Sequence, residues 1–186
     1  MHVARPRPWR IGGARITAVS TAQHLPVIRP ATGADLDDLQ ALARRTIDAR
    51  YRAFLGDEAV DWFIGSGASD AHVESHLEKG AVHCLSQEGG ILGFSILDGP
   101  TIDLMMIDPD HHRRGLGRLL LHHAEETLLA RHSTIRLESF ADNTAANSFY
   151  EACGWRPGDL LEGEGPAKVE YLKTGRDQPG PRPRVR

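Results

Sequence analysis

The stretch from Ile102 to Leu121, IDLMMIDPDHHRRGLGRLLL, limits the possible folds more than any other part of the chain. It begins as an apolar run that only Asp103 interrupts, which is typical of a buried strand. Asp108-Pro109-Asp110 ends this run, because proline cannot donate to a strand ladder and restricts the residue before it. A glycine-containing basic turn follows, and then a helical repeat of apolar residues at Leu116, Leu119, Leu120, Ala124 and Leu128. The pattern predicts a strand, a turn and a helix in immediate succession.

The turn between this strand and this helix has the composition of an anion-binding site. Gly115 and Gly117 would let a phosphate approach the backbone, where the unpaired N–H groups of the helix start carry the positive end of the helix dipole. Arg113, Arg114 and Arg118 add full positive charges. The alternative is a plain strand-to-helix connection with surface arginines, because a lone G-x-G is a weak motif.

A second segment, Asn143–Trp155, follows a β-rich run at Thr134–Phe140. The two segments together, in this order and at this separation, resemble the GNAT superfamily of acyl-CoA-dependent N-acyltransferases. Members of that superfamily carry a Q/R-x-x-G-x-G/A loop after a strand and, further along, an N-x-x-A-x-x-F-Y-x-x-x-G-F/W segment. The second pattern is matched at Asn143, Ala146, Phe149, Tyr150, Gly154 and Trp155. The resemblance covers roughly residues 25–174.

The resemblance implies that acetyl-CoA is the cosubstrate and that it binds around the turn. Gly115 and Gly117 match the first pattern, but His112 stands where Gln or Arg is usual, which leaves one side-chain contact to a phosphate open. The strand before the turn is expected to offer the pantetheine arm a free edge at Met105–Ile107, much as a strand edge takes up a peptide. The residues assigned to acetyl-CoA by the resemblance are Met105, Met106, Ile107, His112, Arg113, Arg114, Gly115, Leu116, Gly117, Arg118, Asn143, Ala146 and Phe149.

The resemblance also implies direct attack of an amine on acetyl-CoA in a ternary complex, with the N–H of Met105 stabilising the oxyanion. Asp103 is the candidate base, acting through water because it is shorter than Glu. An acid inside an apolar strand costs free energy unless it is paired or functional. The alternative is that Asp103 faces solvent or pairs with a neighbouring strand. Tyr150 is the candidate acid for the departing thiolate, and the alternative is a packing tyrosine that only contacts the sulfur.

The expected fold is α/β: a GNAT-type mixed, mostly antiparallel sheet with a central parallel pair splayed for acyl-CoA and flanked by helices. The predicted strands are Leu25–Pro30, Ala81–Gln87, Ile91–Leu97, Ile102–Ile107, Thr134–Phe140, Trp155–Leu160 and Ala167–Lys173. Helices are predicted after a cap at Thr32 or Asp35, over Asp57–Lys79 with a break near Gly65–Gly67, from the turn to about Arg131, and over Asn143–Ala152.

Two basic arms flank the predicted domain of residues 25–174. Residues 1–24 contain four arginines and no acid, with a short strand predicted near Ala14–Val19, and residues 175–186 form a proline-rich basic tail that is predicted to be disordered. Nucleic-acid binding is not favoured, because the arms lack interleaved aromatic residues and no nucleic-acid module is recognisable.

Several function classes are disfavoured by the sequence. No apolar run approaches the roughly 20 residues that span a bilayer, and no secretory signal is recognisable. With only Cys84 and Cys153, a reducing cytoplasmic location is expected. His122 and His123 are neighbours on a helix and point about 100° apart, so no metal site is predicted from them. The rival function is that of a non-catalytic sensor or scaffold that binds acyl-CoA. The sequence does not decide the oligomeric state, for which a homodimer is one alternative.

The charge distribution predicts a cationic amine as the acceptor. The two arms carry a net four and three positive charges, so residues 25–174 carry about −10 against −3 for the whole chain. An acidic rim attracts a cation, whereas the alternative is an ordinary set of solvated helix faces. The acids of the expected rim are Asp35, Asp37, Asp38, Asp48, Asp57, Glu58, Asp61, Asp70, Glu74, Glu78, Asp159, Glu162 and Glu164.

Overall fold

Seven strands form a single sheet in the computed structural model, which describes residues 25–163 and 165–175. The strands are β1 (Val27–Pro30), β2 (Val82–Gln87), β3 (Gly90–Asp98), β4 (Thr101–Ile107), β5 (Thr134–Phe140), β6 (Arg156–Leu161) and β7 (Lys168–Thr174). Their order is β1-β2-β3-β4-β5-β7-β6, and every neighbouring pair is antiparallel except β4 and β5. The predicted mixed sheet with one central parallel pair is confirmed.

Five α-helices accompany the sheet within the described residues. They are α1 (Leu36–Leu55), α2 (Asp57–Gly65), α3 (Ala68–Glu78), α4 (Leu116–Leu129) and α5 (Thr144–Ala152). Thr32 lies at the N-cap of a short 3-10 turn, where it forms a capping box with Asp35. Asp35 lies at the N-cap position of α1, but its carboxylate binds Thr32 and Arg29 and makes no capping hydrogen bond to α1. The predicted break between α2 and α3 is confirmed at Gly67, whose φ of +73° lies in the left-handed region.

The helices cover the two faces of the sheet unequally. α1, α2 and α3 pack on one face, against buried residues such as Phe94 and Met106. α4 and α5 pack on the other face, against Ile135 and Leu137 of β5. Because successive side chains of a strand point to opposite faces, Glu138 lies on the first face, where it is exposed.

The remaining differences from the sequence analysis concern chain ends and element ends. The first strand begins at Val27 rather than Leu25, and Asn143 caps α5 instead of opening it. The strand predicted near Ala14–Val19 and nearly all of the predicted tail lie outside the described residues. None of the described helices has the length and hydropathy needed to cross a membrane.

A pair of histidines joins α4 to β2. His83 Nδ1 lies 2.7 Å from His123 Nε2, and one ring must donate its N–H while the other accepts. Burial lowers the pKa of both imidazoles, and their proximity lowers the pKa of His83 further. The folded protein therefore favours the neutral pair.

The histidine pair predicts a loss of stability in mild acid. As the pH falls below about 6.5, the ordinary histidine pKa, the unfolded chain binds protons before the folded pair does, so the free energy of unfolding should fall. We expect the His83→Gln, His123→Gln double variant to show a shallower fall between pH 7 and pH 5. Urea unfolding at each pH measures this, and parallel curves for the variant and the wild type would rule out the pair as the cause.

Candidate active site

β4 and β5 run parallel but pair only at one end. Their register contains two residue pairs, of which the last joins Ile102 to Leu137. β5 nevertheless pairs with β7 over its whole length, and β4 pairs with β3 as far as Ile107. The sheet therefore opens between residues 103–107 of β4 and residues 138–140 of β5. This opening, called the β4–β5 gap below, is the splay that the sequence analysis expects.

A β-bulge marks the point where β4 leaves β5. In the register between β3 and β4, Leu97 lies opposite Ile102 and Ile96 lies opposite Leu104, so Asp103 is an additional residue of β4. Bulges bend a strand and increase its local twist. The bulge therefore gives a physical reason for the divergence of the two parallel strands.

The backbone beyond the bulge presents peptide groups to the gap. The N–H of Asp108 donates to the carbonyl of Leu92 over 2.9 Å, so the peptide groups of Asp108 face β3. Because peptide groups alternate between the two edges of a strand, those of Met105 and Ile107 face the β4–β5 gap. The N–H of Met105 is thus directed away from β3, as a donor to a bound group requires.

The gap leads to the turn that opens α4. Gly115 is the N-cap residue with φ +81°, and a Cβ built on it would have no atom within 4 Å, so the space above the helix start is open. Arg113, Arg114 and Arg118 are exposed around this space. None of the three takes part in an ion pair within residues 25–163 and 165–175. Free N–H groups, a helix dipole and three unpaired guanidinium groups suit a polyphosphate.

His112 turns back onto the strand. Its Nε2–H donates to the carbonyl of Ile107 over 2.8 Å, and the tautomer follows from this bond because a carbonyl can only accept. The ring therefore covers one carbonyl at the end of the gap. That His112 binds a phosphate stays a prediction. In the structure, its hydrogen bond to Ile107 holds the end of β4 against the turn.

α5 borders the gap on the β5 side. Asn143 caps it, because Oδ1 accepts the N–H of Ala146 over 3.3 Å. Phe149 lies close to the turn, since a Cβ on Gly117 would contact its ring at 3.6 Å. Asn147, which the sequence analysis did not single out, donates to the carbonyls of Phe140 and Ala141. It thereby holds α5 to the end of β5.

Tyr150 is the buried polar residue of α5. Its side chain belongs to the same cluster as Ile102 and Met105, and only 9% of the residue is exposed. Burial raises the pKa of its phenol, so the hydroxyl keeps its proton at neutral pH. Its O–H has no hydrogen-bond partner among the described residues and is available to a bound group.

Asp103 pairs with a helix rather than with a neighbouring strand. Its Oδ2 lies 2.6 Å from Nε2 of His72 on α3. This bond lowers the pKa of Asp103 and raises that of His72. His76 follows one turn later, and its Nδ1–H donates to the carbonyl of His72 over 2.9 Å. The sequence analysis missed both histidines, although their spacing of four residues places them on one helix face.

A polar cleft lies beside Asp103 on the face of α1–α3. It has a volume of about 470 Å³ and is lined by residues 98–103, Arg136, Glu138 and Lys168. Lys168 donates to Glu138 over 3.0 Å, on the far side of the gap. Glu138 was also missed by the sequence analysis, although the alternation along β5 already separates it from the buried residues.

Ion pairs neutralise part of the expected acidic rim. Asp35 is bound by Arg29 over 2.7 Å, and Asp70 is bound by Arg44. Arg52 alone contacts Asp48, Asp57 and Asp61. The negative charge of this rim is therefore smaller than its number of acids suggests, and Glu164 lies outside the described residues.

Comparison with known proteins gives a consistent result. Residues 78–157 match a family model described as an acetyltransferase (GNAT) domain. Ribosomal protein bS18-alanine N-acetyltransferase from Escherichia coli K12 is 41% identical over 76 residues, which cover 38% of this chain and 51% of that protein. Peptidyl-lysine N-acetyltransferase YiaC from the same organism is 34% identical over 70 residues, covering 37% of this chain and 45% of that protein. The chain thus spans about half the length of the curated relatives it matches.

The fold is found in solved structures over a larger part of the chain. The PaiA N-acetyltransferase from Thermoplasma acidophilum, solved in complex with coenzyme A, superposes with a TM-score of 0.71. The match covers 81% of this chain and 99% of that protein at 18% sequence identity. At this identity the similarity shows a shared fold.

Proposed function

We propose that this chain, whose residues 78–157 match an acetyltransferase (GNAT) domain, is a member of the GNAT superfamily and transfers an acetyl group from acetyl-CoA to a primary amine. The observation that carries this proposal is the β4–β5 gap, which runs from Asp103 to the open helix start at Gly115. An extended thioester with a polyphosphate at one end needs such a path. The unpaired arginines of the turn would bind the phosphates, and the peptide groups of Met105 and Ile107 would pair with the pantetheine amides.

The geometry supports direct transfer between two bound substrates. The neutral amine attacks the thioester carbon, a C–N bond forms, and the C–S bond breaks as the oxyanion collapses. The N–H of Met105 would stabilise this oxyanion, a contribution of about 3–4 kcal/mol in comparable sites. The departing thiolate takes the proton of the Tyr150 hydroxyl, and the amine proton passes to Asp103 directly or through water. Solvent then returns a proton to the Tyr150 phenolate and removes the proton from Asp103, which restores the enzyme.

The acceptor that we propose is an amine of a protein. Two of the relatives are named for such acceptors, an alanine of a ribosomal protein and a peptidyl lysine. The polar cleft is lined by carboxylates and by the cations Arg136 and Lys168, so it offers hydrogen-bonding partners of both charges to the backbone and side chains of a peptide. Both cysteines are free, which supports a cytoplasmic location for this reaction.

Thiol release from acetyl-CoA tests the proposal. A panel should contain peptides with a free N-terminus, peptides with an internal lysine and a blocked N-terminus, and small polyamines. We expect peptide amines to support turnover and mass spectrometry to find one added acetyl group. Tight binding of acetyl-CoA without turnover on any of the three classes would instead favour the sensor or scaffold function.

Replacing Asp103 with asparagine should lower kcat/KM most near neutral pH. A free amine has a pKa near 10, so higher pH supplies neutral amine without a base, and the defect should shrink as the pH rises. The affinity for acetyl-CoA should stay within a few-fold. The measurement is a pH–rate profile of both proteins with a chelator present, accompanied by melting curves.

Glu138→Gln is the matched control, because it removes another carboxylate of the same cleft. A profile of Asp103→Asn parallel to that of the wild type at equal stability would remove Asp103 from the mechanism. A pH-dependent defect in the Glu138 variant alone would transfer the role of base to Glu138.

A further inference from the structure

We propose that His72, His76 and Asp103 form a binding site for a divalent transition-metal ion, for which Zn²⁺ is the best candidate. Each of the three side chains offers one ligand atom, and these atoms all lie within 4.8 Å of one another. Imidazole nitrogen and carboxylate oxygen are ligands that Zn²⁺ prefers. Three protein ligands leave a fourth position of a tetrahedral ion for water or another small ligand.

The helix brings the two imidazoles together. His72 and His76 are one turn apart on α3, so both project from the same face. Their ring centroids are 4.4 Å apart. This spacing suits joint coordination in a way that the adjacent pair His122 and His123 does not, because adjacent residues diverge around the helix.

His76 is already oriented as a ligand. Its Nδ1–H donates to the carbonyl of His72 over 2.9 Å, which leaves the lone pair of Nε2 for an ion. Imidazoles that bind metals commonly donate their other N–H to a carbonyl or carboxylate in this way. The residue is only 8% exposed, so its packing restricts the ring to this orientation.

The third ligand, the carboxylate of Asp103, needs only a small displacement to bind the same ion as His72. Asp103 Oδ2 is 2.6 Å from Nε2 of His72, held by a proton that a metal would replace. Ligands at about 2.0–2.2 Å from a tetrahedral zinc require the two atoms to move apart by less than about 1 Å. The side chains of His72 and Asp103 are 42% and 35% exposed, which gives them room to do so.

Occupation of this site would inhibit the proposed acetyl transfer. The ion would take up the carboxylate of Asp103 and place a positive charge beside the polar cleft, where the amine must enter. The proposed path for acetyl-CoA runs from the bulge towards the turn, away from α3, so its binding should be unaffected. This consequence depends on the proposed function, whereas the binding site itself does not.

Metal binding by the full chain is the direct test. We expect one equivalent of Zn²⁺ to compete with a chromophoric chelator, and Co²⁺ in its place to give the strong visible absorption of a tetrahedral ion. His76→Gln and His72→Ala should each weaken binding by about tenfold or more. His122→Ala, which removes an exposed histidine of α4, is the matched control and should not change the affinity.

Two results would overturn the site. Equal Zn²⁺ affinity in the wild type and in both His72→Ala and His76→Gln would do so, as would absence of competition with the chelator. His72 is exposed, so its variant keeps the test valid if His76→Gln unfolds, which melting curves would reveal. In the transfer assay Zn²⁺ should raise the KM for the amine and leave the KM for acetyl-CoA unchanged. If no amine is acetylated, the binding measurements still decide the proposal.

Discussion

Replacing Gly115 with glutamate is expected to lower the affinity for acetyl-CoA by at least about 100-fold, which in practice abolishes binding, while the domain stays folded. The new carboxylate would project into the open space above the start of α4, where it would repel phosphates and neutralise part of the arginine charge. No atom lies within 4 Å of the place that a Cβ would take at Gly115, so the new Cβ meets no neighbour in the folded protein. Isothermal titration with acetyl-CoA measures the loss, and circular dichroism checks the fold.

Two further variants separate the charge of the glutamate from strain in the backbone. Gly115 has φ +81°, so any L side chain adds roughly 1–2 kcal/mol of strain. Gly115→Ala carries this strain without the carboxylate and should retain most of the affinity. Gly67→Glu places the same residue at the left-handed N-cap of α3 and should leave binding intact. Unchanged affinity in Gly115→Glu would show that the phosphates bind elsewhere.

Removing the hydroxyl of Tyr150 by substitution with phenylalanine should lower turnover by roughly 10²–10⁴-fold. The ring keeps its contacts with Phe149, Trp155 and Tyr171, because these contacts are made by the aromatic faces and edges. Only the proton that is offered to the departing thiolate is lost. Acetyl-CoA affinity should change little, and steady-state rates with the best amine from the panel provide the measurement.

Tyr51→Phe is the control for Tyr150. Tyr51 is a second tyrosine whose pKa burial raises; it packs on Phe54 and Phe140 and is close enough to Tyr150 to raise the pKa of that phenol as well. Its variant should keep wild-type turnover. A loss of less than about threefold in Tyr150→Phe would assign that tyrosine to packing and leave the thiolate to be protonated by water.

Local sequence patterns predicted the elements of this fold well. The limits of β5 agree in full, and the break at Gly67 follows from glycine chemistry that needs no knowledge of the rest of the chain. The turn at Gly115 was recognisable for the same reason, because a strand, a glycine turn and a helix are contiguous in the sequence.

The partners of the site residues could not be predicted, because they depend on packing between distant elements. His72 and Asp103 are 31 residues apart, and their bond exists only because α3 lies across β4. The bulge at Asp103 depends on the register with β3, which no local pattern encodes. The ion pairs of the acidic rim could not be predicted for the same reason, because Arg44 on α1 reaches Asp70 on α3.

Deleting Asp103 from the bulge would separate two properties of β4 that no substitution can separate. One is the face of the sheet on which each side chain lies, and the other is the divergence of β4 from β5. Asp103 and Leu104 together occupy the place of one residue opposite β3, so deleting Asp103 would leave every later side chain of β4 on its present face. The alternation of buried residues would survive, and with it the sheet. What would be lost is the extra length that turns β4 away from β5, and the two strands could then pair beyond Ile102 and close the opening. In this strand, chain length rather than residue identity determines whether the fold has room for a ligand.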